Sequence, residues 1–255
     1  MNFLYDVQTD IGTTKDVNQD AAAVKIVDTE KGPVLFAVIC DGMGGFDKGE
    51  IASSSLIRAM LKWFDNDFPE HKGNFSFDDI FSQWNYIIQS MNEKIADYGR
   101  TNGIKLGTTL SMIIFYENKF CFAHVGDSRI YKIQCNSFTQ LTKDHTVVAE
   151  KFANGEITEE QIETDVDRNI LLQCIGASRK VNPQFGHGDV DTNDLFLLCT
   201  DGFRHEISKA EIQNFLNPDK NNSNKDIIVN IASLIERAKQ RNEEDNITAE
   251  VIKII

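Results

Sequence analysis

Apolar residues along this chain fall into two kinds of pattern. Largely apolar runs at 34–40, 109–116, 119–125, 195–200 and 247–254 are each about one strand long, and weaker runs at 21–27 and 129–133 bring the predicted strands to seven. Only Glu117-Asn118 separates 109–116 from 119–125, which predicts a hairpin. Elsewhere the spacing is helical. Ile51, Leu56, Ala59, Met60, Trp63 and Phe64 form one stripe. Phe77, Ile80, Phe81, Trp84, Ile88, Met91, Ile95 and Tyr98 form a second, and Ile227, Ile228, Ile231, Leu234, Ile235 and Ala238 a third. The aromatics in these stripes read as core rather than as a cofactor box. Thr158-x-x-Gln161 and Ser208-x-x-Glu211 fit capping boxes at two further helix starts. Strands in adjacent runs and helices in blocks predict an α+β fold, antiparallel sheets covered by helices, over a doubly wound parallel sheet. No repeat, low-complexity tract or flexible linker interrupts 1–255, which predicts one domain.

Four aspartates punctuate the strand runs. Asp41 closes 34–40 and opens Gly42-Met43-Gly44-Gly45, Asp127 follows 119–125 after Gly126, and Asp201 follows 195–200. Asp245 stands just before 247–254, so it begins a strand where the others end one. In an antiparallel sheet such positions share one rim. Carboxylates gathered at the mouth of an apolar core repel one another and resist desolvation unless cations neutralise them. Oxygen-only ligands select magnesium, manganese or calcium over zinc. The pattern therefore predicts a metal-dependent hydrolase. Asp41-Gly42-Met43-Gly44-Gly45 lacks the lysine of a phosphate-binding loop, and taken alone it would be read as a turn.

Composition narrows the partners. The chain has 255 residues and a net charge of −13, which disfavours nucleic acid and anionic membrane. No stretch approaches the roughly 20 apolar residues that span a bilayer, and the first residues do not resemble a signal peptide. A cytoplasmic location is expected, in which the sequons at Asn74, Asn221 and Asn246 carry no meaning. Cys40, Cys121, Cys135, Cys174 and Cys199 form no C-x-x-C pair and are expected to be buried, reduced and structural. His124 and His145 read as structural, and His71, His187 and His205 give no signal.

The motifs in order carry a resemblance. They run Thr9-Asp10-Ile11-Gly12, Asn18-Gln19-Asp20-Ala21, Asp41-Gly42-Met43-Gly44-Gly45 with Gly49-Glu50, and Gly107-Thr108-Thr109-Leu110. Val125-Gly126-Asp127-Ser128-Arg129, Leu141-Thr142-Lys143-Asp144-His145, Thr200-Asp201-Gly202 and Asp245-Asn246-Ile247-Thr248 complete the series. This series resembles the protein phosphatase 2C family, the metal-dependent serine/threonine phosphatases, and especially its compact bacterial branch. The match covers nearly the whole chain.

The resemblance implies a four-layer αββα sandwich of two antiparallel sheets flanked by helices, with the metal channel between them. It implies two core ions, Mn²⁺ or Mg²⁺, held by Asp41, the Gly42 carbonyl, Asp201 and Asp245. Asp127, with Asp201, matches the holder of a third and weaker ion, and Asp20 an acid that orients metal-bound water. Two such ions sharing a water lower its pKa, and the resulting hydroxide attacks phosphorus in line. Substrates would be phosphoproteins made by a serine/threonine kinase, and a monomer is expected. A segment at 146–169 corresponds to a small helical flap that selects substrates beside the channel.

Three positions depart from the family pattern. Gln19 replaces its usual glutamate, although glutamine can still hydrogen-bond a metal-coordinated water. Lys15 replaces its phosphate-binding arginine, keeping charge but losing the planar two-pronged grip. Met43 replaces the histidine proposed as general acid in animal members, which passes that role to a metal-bound water. Arg204 is the other candidate for the phosphate, against a plain surface salt bridge. Two alternative readings remain open: a catalytically weak domain that binds phosphoproteins, and a metal-dependent esterase or nuclease.

Overall fold

A computed structural model of the chain describes residues 1–44, 48–68, 76–162 and 164–255. Gly45, His71 and the Asn74 sequon therefore lie outside the described residues. One five-stranded antiparallel sheet runs, edge to edge, β1 (Phe3–Asp10), β12 (Ile247–Ile254), β11 (Leu195–Cys199), β8 (Arg129–Gln134) and β9 (Ser137–Gln140). The second runs β10 (Gln184–Asp189), β7 (Lys119–Val125), β6 (Leu110–Tyr116), β3 (Gly32–Cys40) and β2 (Ala21–Thr29), again antiparallel throughout. The short strands β4 (Gly42–Gly44) and β5 (Leu106–Thr108) pair as a small ribbon.

Period-two alternation sorts the strand residues into layers. Val34, Phe36, Val38 and Cys40 of β3 face α1 (Gly49–Asn66) and α2 (Phe77–Asn102), while Leu35, Ala37 and Ile39 face the opposite sheet. On β11, Leu195, Leu197 and Cys199 face α6 (Lys209–Phe215) and α7 (Asn224–Gln240), and Phe196 and Leu198 enter the layer between sheets. β3 and β11 are thus buried on both faces, which is why 34–40 and 195–199 are unbroken apolar runs. Phe196 is fully buried edge-on to Phe115 and Phe120, at centroid distances of 4.8 and 5.2 Å. Emptying such a site typically costs about 3–5 kcal/mol. The result is the predicted αββα order.

Some expectations need correction. Cys135 is exposed in the β8–β9 turn and Cys174 is only half-buried, so the cysteines are not uniformly core. Tyr98 and Ile228 are exposed although they fall on the helical stripes, because each sits at the margin of its apolar face. Residues 42–44, which taken alone would be read as a turn, form a short strand. The capping box at Ser208 and Glu211 is complete. At Thr158, the backbone N–H donates to the Gln161 side chain at 2.8 Å, ahead of α4 (Glu159–Ile162).

Candidate metal centre

The four strand-end aspartates do share a rim, but the rim belongs to two sheets. Asp41 and Asp127 follow β3 and β7 of the second sheet, while Asp201 and Asp245 follow β11 and precede β12 of the first. Asp201 opens α5 (Asp201–Arg204), and Thr200 is its N-cap residue. The cluster lies at one end of the layer between the sheets, where hydroxyls replace apolar side chains: Ser111, Thr109, Ser128, Thr200 and Thr248 are all buried.

Those hydroxyls fix the acids. Asp20 accepts from Thr200 Oγ1 at 2.9 Å and from Thr248 Oγ1 at 2.6 Å, both at Oδ2, so Oδ1 keeps its lone pairs. The backbone N–H of Asp41 donates to Thr109 Oγ1 at 2.9 Å, and its carbonyl accepts from the N–H of Thr109 and the hydroxyl of Thr108. Thr109 Oγ1 in turn lies 2.7 Å from Ser128 Oγ, beside Asp127. Asn246 anchors the 11–20 loop, donating to the carbonyls of Ile11 and Val17 and accepting from the N–H of Gln19.

Gly42 and Gly49 pack backbone to backbone. A Cβ on Gly42 would lie 2.4 Å from the Gly49 carbonyl oxygen, and one on Gly49 would lie 2.6 Å from that of Gly42. Only glycine at both positions lets α1 close against β4, which follows Asp41. With its amide turned to match donors to acceptors, Gln19 fills the remaining gap, its NH₂ donating to the Gly42 carbonyl and its oxygen accepting from the Gly49 N–H, each at 3.2 Å. Gln19 is thereby spent on backbone rather than turned toward the acids.

Electrostatics follows the crowding. Burial pushes Asp41 well above the usual carboxylate range, and Asp20, Asp201, Asp127 and Asp245 push it further. Burial also raises Asp20 to about 7, against the two hydroxyl bonds that favour its ionised form. Asp127 rises to about 7 through burial and the charge of Asp201, opposed by Arg204. Lys15 Nζ lies 3.0 Å from Asp245 Oδ1, both side chains half exposed. Burial works against that ammonium, yet its bond to Asp245 and the fields of Asp245, Asp41 and Asp201 raise its pKa overall. Arg204 is no surface salt bridge: it is largely buried, and its Nη2 donates to the Asp127 carbonyl at 3.1 Å.

The chain matches a family model for protein phosphatase 2C over residues 11–244. It belongs to the protein phosphatase 2C family. A Streptococcus pyogenes protein named for the 2C type of protein phosphatase is 32% identical over 249 residues, covering 96% of this chain and 95% of that protein. The solved serine/threonine phosphatase of S. agalactiae is 29% identical, with a TM-score of 0.86 and full coverage of both chains. A catalytic domain of the serine/threonine phosphatase PstP, solved in complex with two manganese ions, is 25% identical with a TM-score of 0.80, covering 99% of this chain and 98% of that one.

In this 2C-family chain the donor set suits hard divalent ions by charge and type. It is made only of oxygens, and burial together with the neighbouring acids disfavours the charge of Asp41, a cost that a cation would offset. By spacing it is open: among the described residues, no three acidic, histidine or cysteine side chains are drawn close enough to enclose an ion. Lys15 rests on Asp245 instead.

The histidines divide. His124 is fully buried, hydrogen-bonded to Ser111 at 2.9 Å, and held neutral by burial, with its pKa lowered to about 3. His145 Nδ1 accepts from the N–H of Gly126 at 3.1 Å. Both are structural, as expected. His205 is different, for it lies 3.5 Å from both Asp201 and Glu243. Burial disfavours its charge, but the bond to Glu243 and the field of Asp201 raise its pKa. Its position one residue past α5 is the signal that sequence reading passed over. The base of the 146–169 segment adjoins the site: the N–H of His145 donates to the Gly126 carbonyl at 2.7 Å, one residue before Asp127.

Proposed function

We propose that residues 1–255 act as one metal-dependent phosphatase domain that hydrolyses phosphoserine and phosphothreonine in proteins. The observation that carries this reading is the gathering of Asp20, Asp41, Asp127, Asp201 and Asp245 from two sheets at one rim. Asp41, the Gly42 carbonyl, Asp201 and Asp245 would hold two ions, Mn²⁺ or Mg²⁺. Bound there, the ions would acidify the attacking water and offset charge on the phosphoryl oxygens.

The chain's own residues supply the rest. Asp20, pinned at Oδ2 by two hydroxyls, orients the attacking water through Oδ1. Lys15 leaves Asp245 to meet the phosphate and set it in line. As water oxygen bonds to phosphorus, the bond to the seryl or threonyl oxygen breaks and a proton equivalent to one lost by that water ends on the leaving oxygen, giving hydrogen phosphate and the free hydroxyl. Arg204 faces Asp127, so the phosphate contact rests on Lys15. Gln19 braces the Gly42 carbonyl and acts through it.

The segment 146–169 is the substrate-selecting flap in this reading. α3 (Val147–Ala153) presents Phe152 to solvent, and the turns that follow α4 present Val166 and Ile170. Substrates would be phosphoproteins made by a serine/threonine kinase. The acidic surface suits neither nucleic acid nor anionic membrane, and no described helix is long and apolar enough to cross a bilayer. We place a monomer in the cytoplasm.

A substrate comparison tests the reading. With Mn²⁺ present, a phosphothreonine peptide, an aryl phosphate, a carboxylic ester and single-stranded DNA are offered in parallel. Release from the two phosphates alone, stopped by chelator, is expected. Ester or DNA cleavage would favour the hydrolase alternative, and peptide binding without release would favour the silent phosphoprotein-binding domain.

A further inference from the structure

Arg204 closes the four-residue helix that Asp201 opens, so the two side chains leave one helical turn three residues apart. Its Nη2, bonded to the Asp127 carbonyl, also lies 3.8 Å from the Asp127 carboxylate and 3.9 Å from that of Asp144. Asp144 is already matched. Arg129 grips it with three hydrogen bonds, at 2.9, 3.0 and 2.6 Å, and Gln140 adds another at 3.1 Å. Two guanidiniums thus face two carboxylates, and the charge of Arg204 falls to Asp127. The buried Nε of Arg204 has no hydrogen-bond partner among the described residues, which leaves a donor for Asp127 as the pair tightens.

We propose that Arg204 is the fixed counter-cation of Asp127 and takes the place of a third metal ion, so that this chain binds two divalent ions rather than three. The inference rests on the reading of Asp41, Asp201 and Asp245 as ligands of the core ions. A guanidinium keeps its charge at every physiological pH. An ion entering between Asp127 and Asp201 would lie within a few ångströms of that charge, in a recess with little water to screen it. Displacing Arg204 instead would strand a positive charge in a largely buried setting. The residues around Asp127 therefore do not fit a third ion, while those around Asp41 keep their need for the first two.

The test is a count. The full chain is dialysed to equilibrium against increasing Mn²⁺, and bound metal per chain is read by elemental analysis. Wild type and Arg204→Lys should both saturate at two. Arg204→Met should gain a third, weaker ion, and the double variant Arg204→Met/Asp127→Asn should return to two. Three ions in wild type, or no gain in a folded Arg204→Met, would overturn the proposal. Fewer than two in wild type would overturn the ligand set beneath it as well, which separates the two failures. Circular dichroism checks each fold. If Arg204→Met does not fold, the wild-type count decides, with two sustaining the proposal and three refuting it.

Discussion

Thr109 and Ser128 meet oxygen to oxygen at 2.7 Å beneath the acidic rim, and that contact ties the β3 end carrying Asp41 to the turn carrying Asp127. Thr109→Val keeps the shape but strands the Asp41 N–H and loosens Ser128. The expected cost is about 1–3 kcal/mol of stability, and Thr109→Ser should restore it. Thermal melts of the three proteins in chelator would check this. Equal melting of Thr109→Val and wild type would show that the hydroxyl pair holds nothing.

Lys15→Ala should raise KM for a phosphopeptide roughly 10-fold while changing kcat less, since a phosphate contact mostly supplies ground-state binding. Lys15→Arg should retain or improve KM through two-pronged contact. Steady-state kinetics on a phosphothreonine peptide measures both. An unchanged KM in Lys15→Ala would leave the ammonium as a mere partner of Asp245.

Glu250 lies fully buried on β12, facing the layer between the sheets, and no hydrogen bond of ordinary geometry reaches either of its oxygens among the described residues. Burial holds its pKa well above the usual range, although the nearby Ala23 backbone favours the charged form weakly. The folded state then keeps a proton that the unfolded chain releases above about pH 4.3. The stability this confers is complete below that value and is lost as pH rises toward the folded pKa. Glu250→Leu should therefore stabilise the protein by roughly 1–3 kcal/mol at pH 8 and by less at pH 5. Denaturant melts at the two pH values, in chelator, decide the matter. A Glu250→Leu benefit that does not grow with pH would mean the carboxyl has found a partner.

Both ends of the 146–169 segment meet, for the N–H of Val147 donates to the Ile170 carbonyl at 2.9 Å and Thr146 bridges Leu171. Lys151 holds the far side by pairing with Asp165 and Asp167. A short glycine linker can therefore replace the segment without pulling on the rim. Rates on phosphopeptide should change strongly and rates on aryl phosphate little. Equal responses would make the segment scaffold rather than selector.

Much of this architecture was legible because central strands such as β3 and β11 are buried on both faces and so read as continuous apolar runs. Edge strands gave no such signal. β1 mixes polar and apolar residues, and β10 carries Gly186 and Gly188, where a Cβ would run into the rings of Phe122 and Phe120 at 2.4 and 2.8 Å. The acids of the rim were legible by their place at strand ends. Their supports were not: Thr200 and Thr248 stand 180 and 228 residues from the Asp20 they hold, and spacing cannot pair them. The direction of Arg204 was equally hidden, since a helix start fixes where a side chain leaves but not which carboxylate it meets.

Phosphate release from a phosphothreonine peptide, by chelator-stripped protein titrated with Mn²⁺, tests the central claim most directly. Wild type should be silent without metal and recover with it, while Asp41→Asn and Asp245→Asn should stay lower by at least about 100-fold, because a neutral amide weakens the hold on the ions that acidify water. Undiminished release in chelator, or wild-type rates in either variant, would contradict the account.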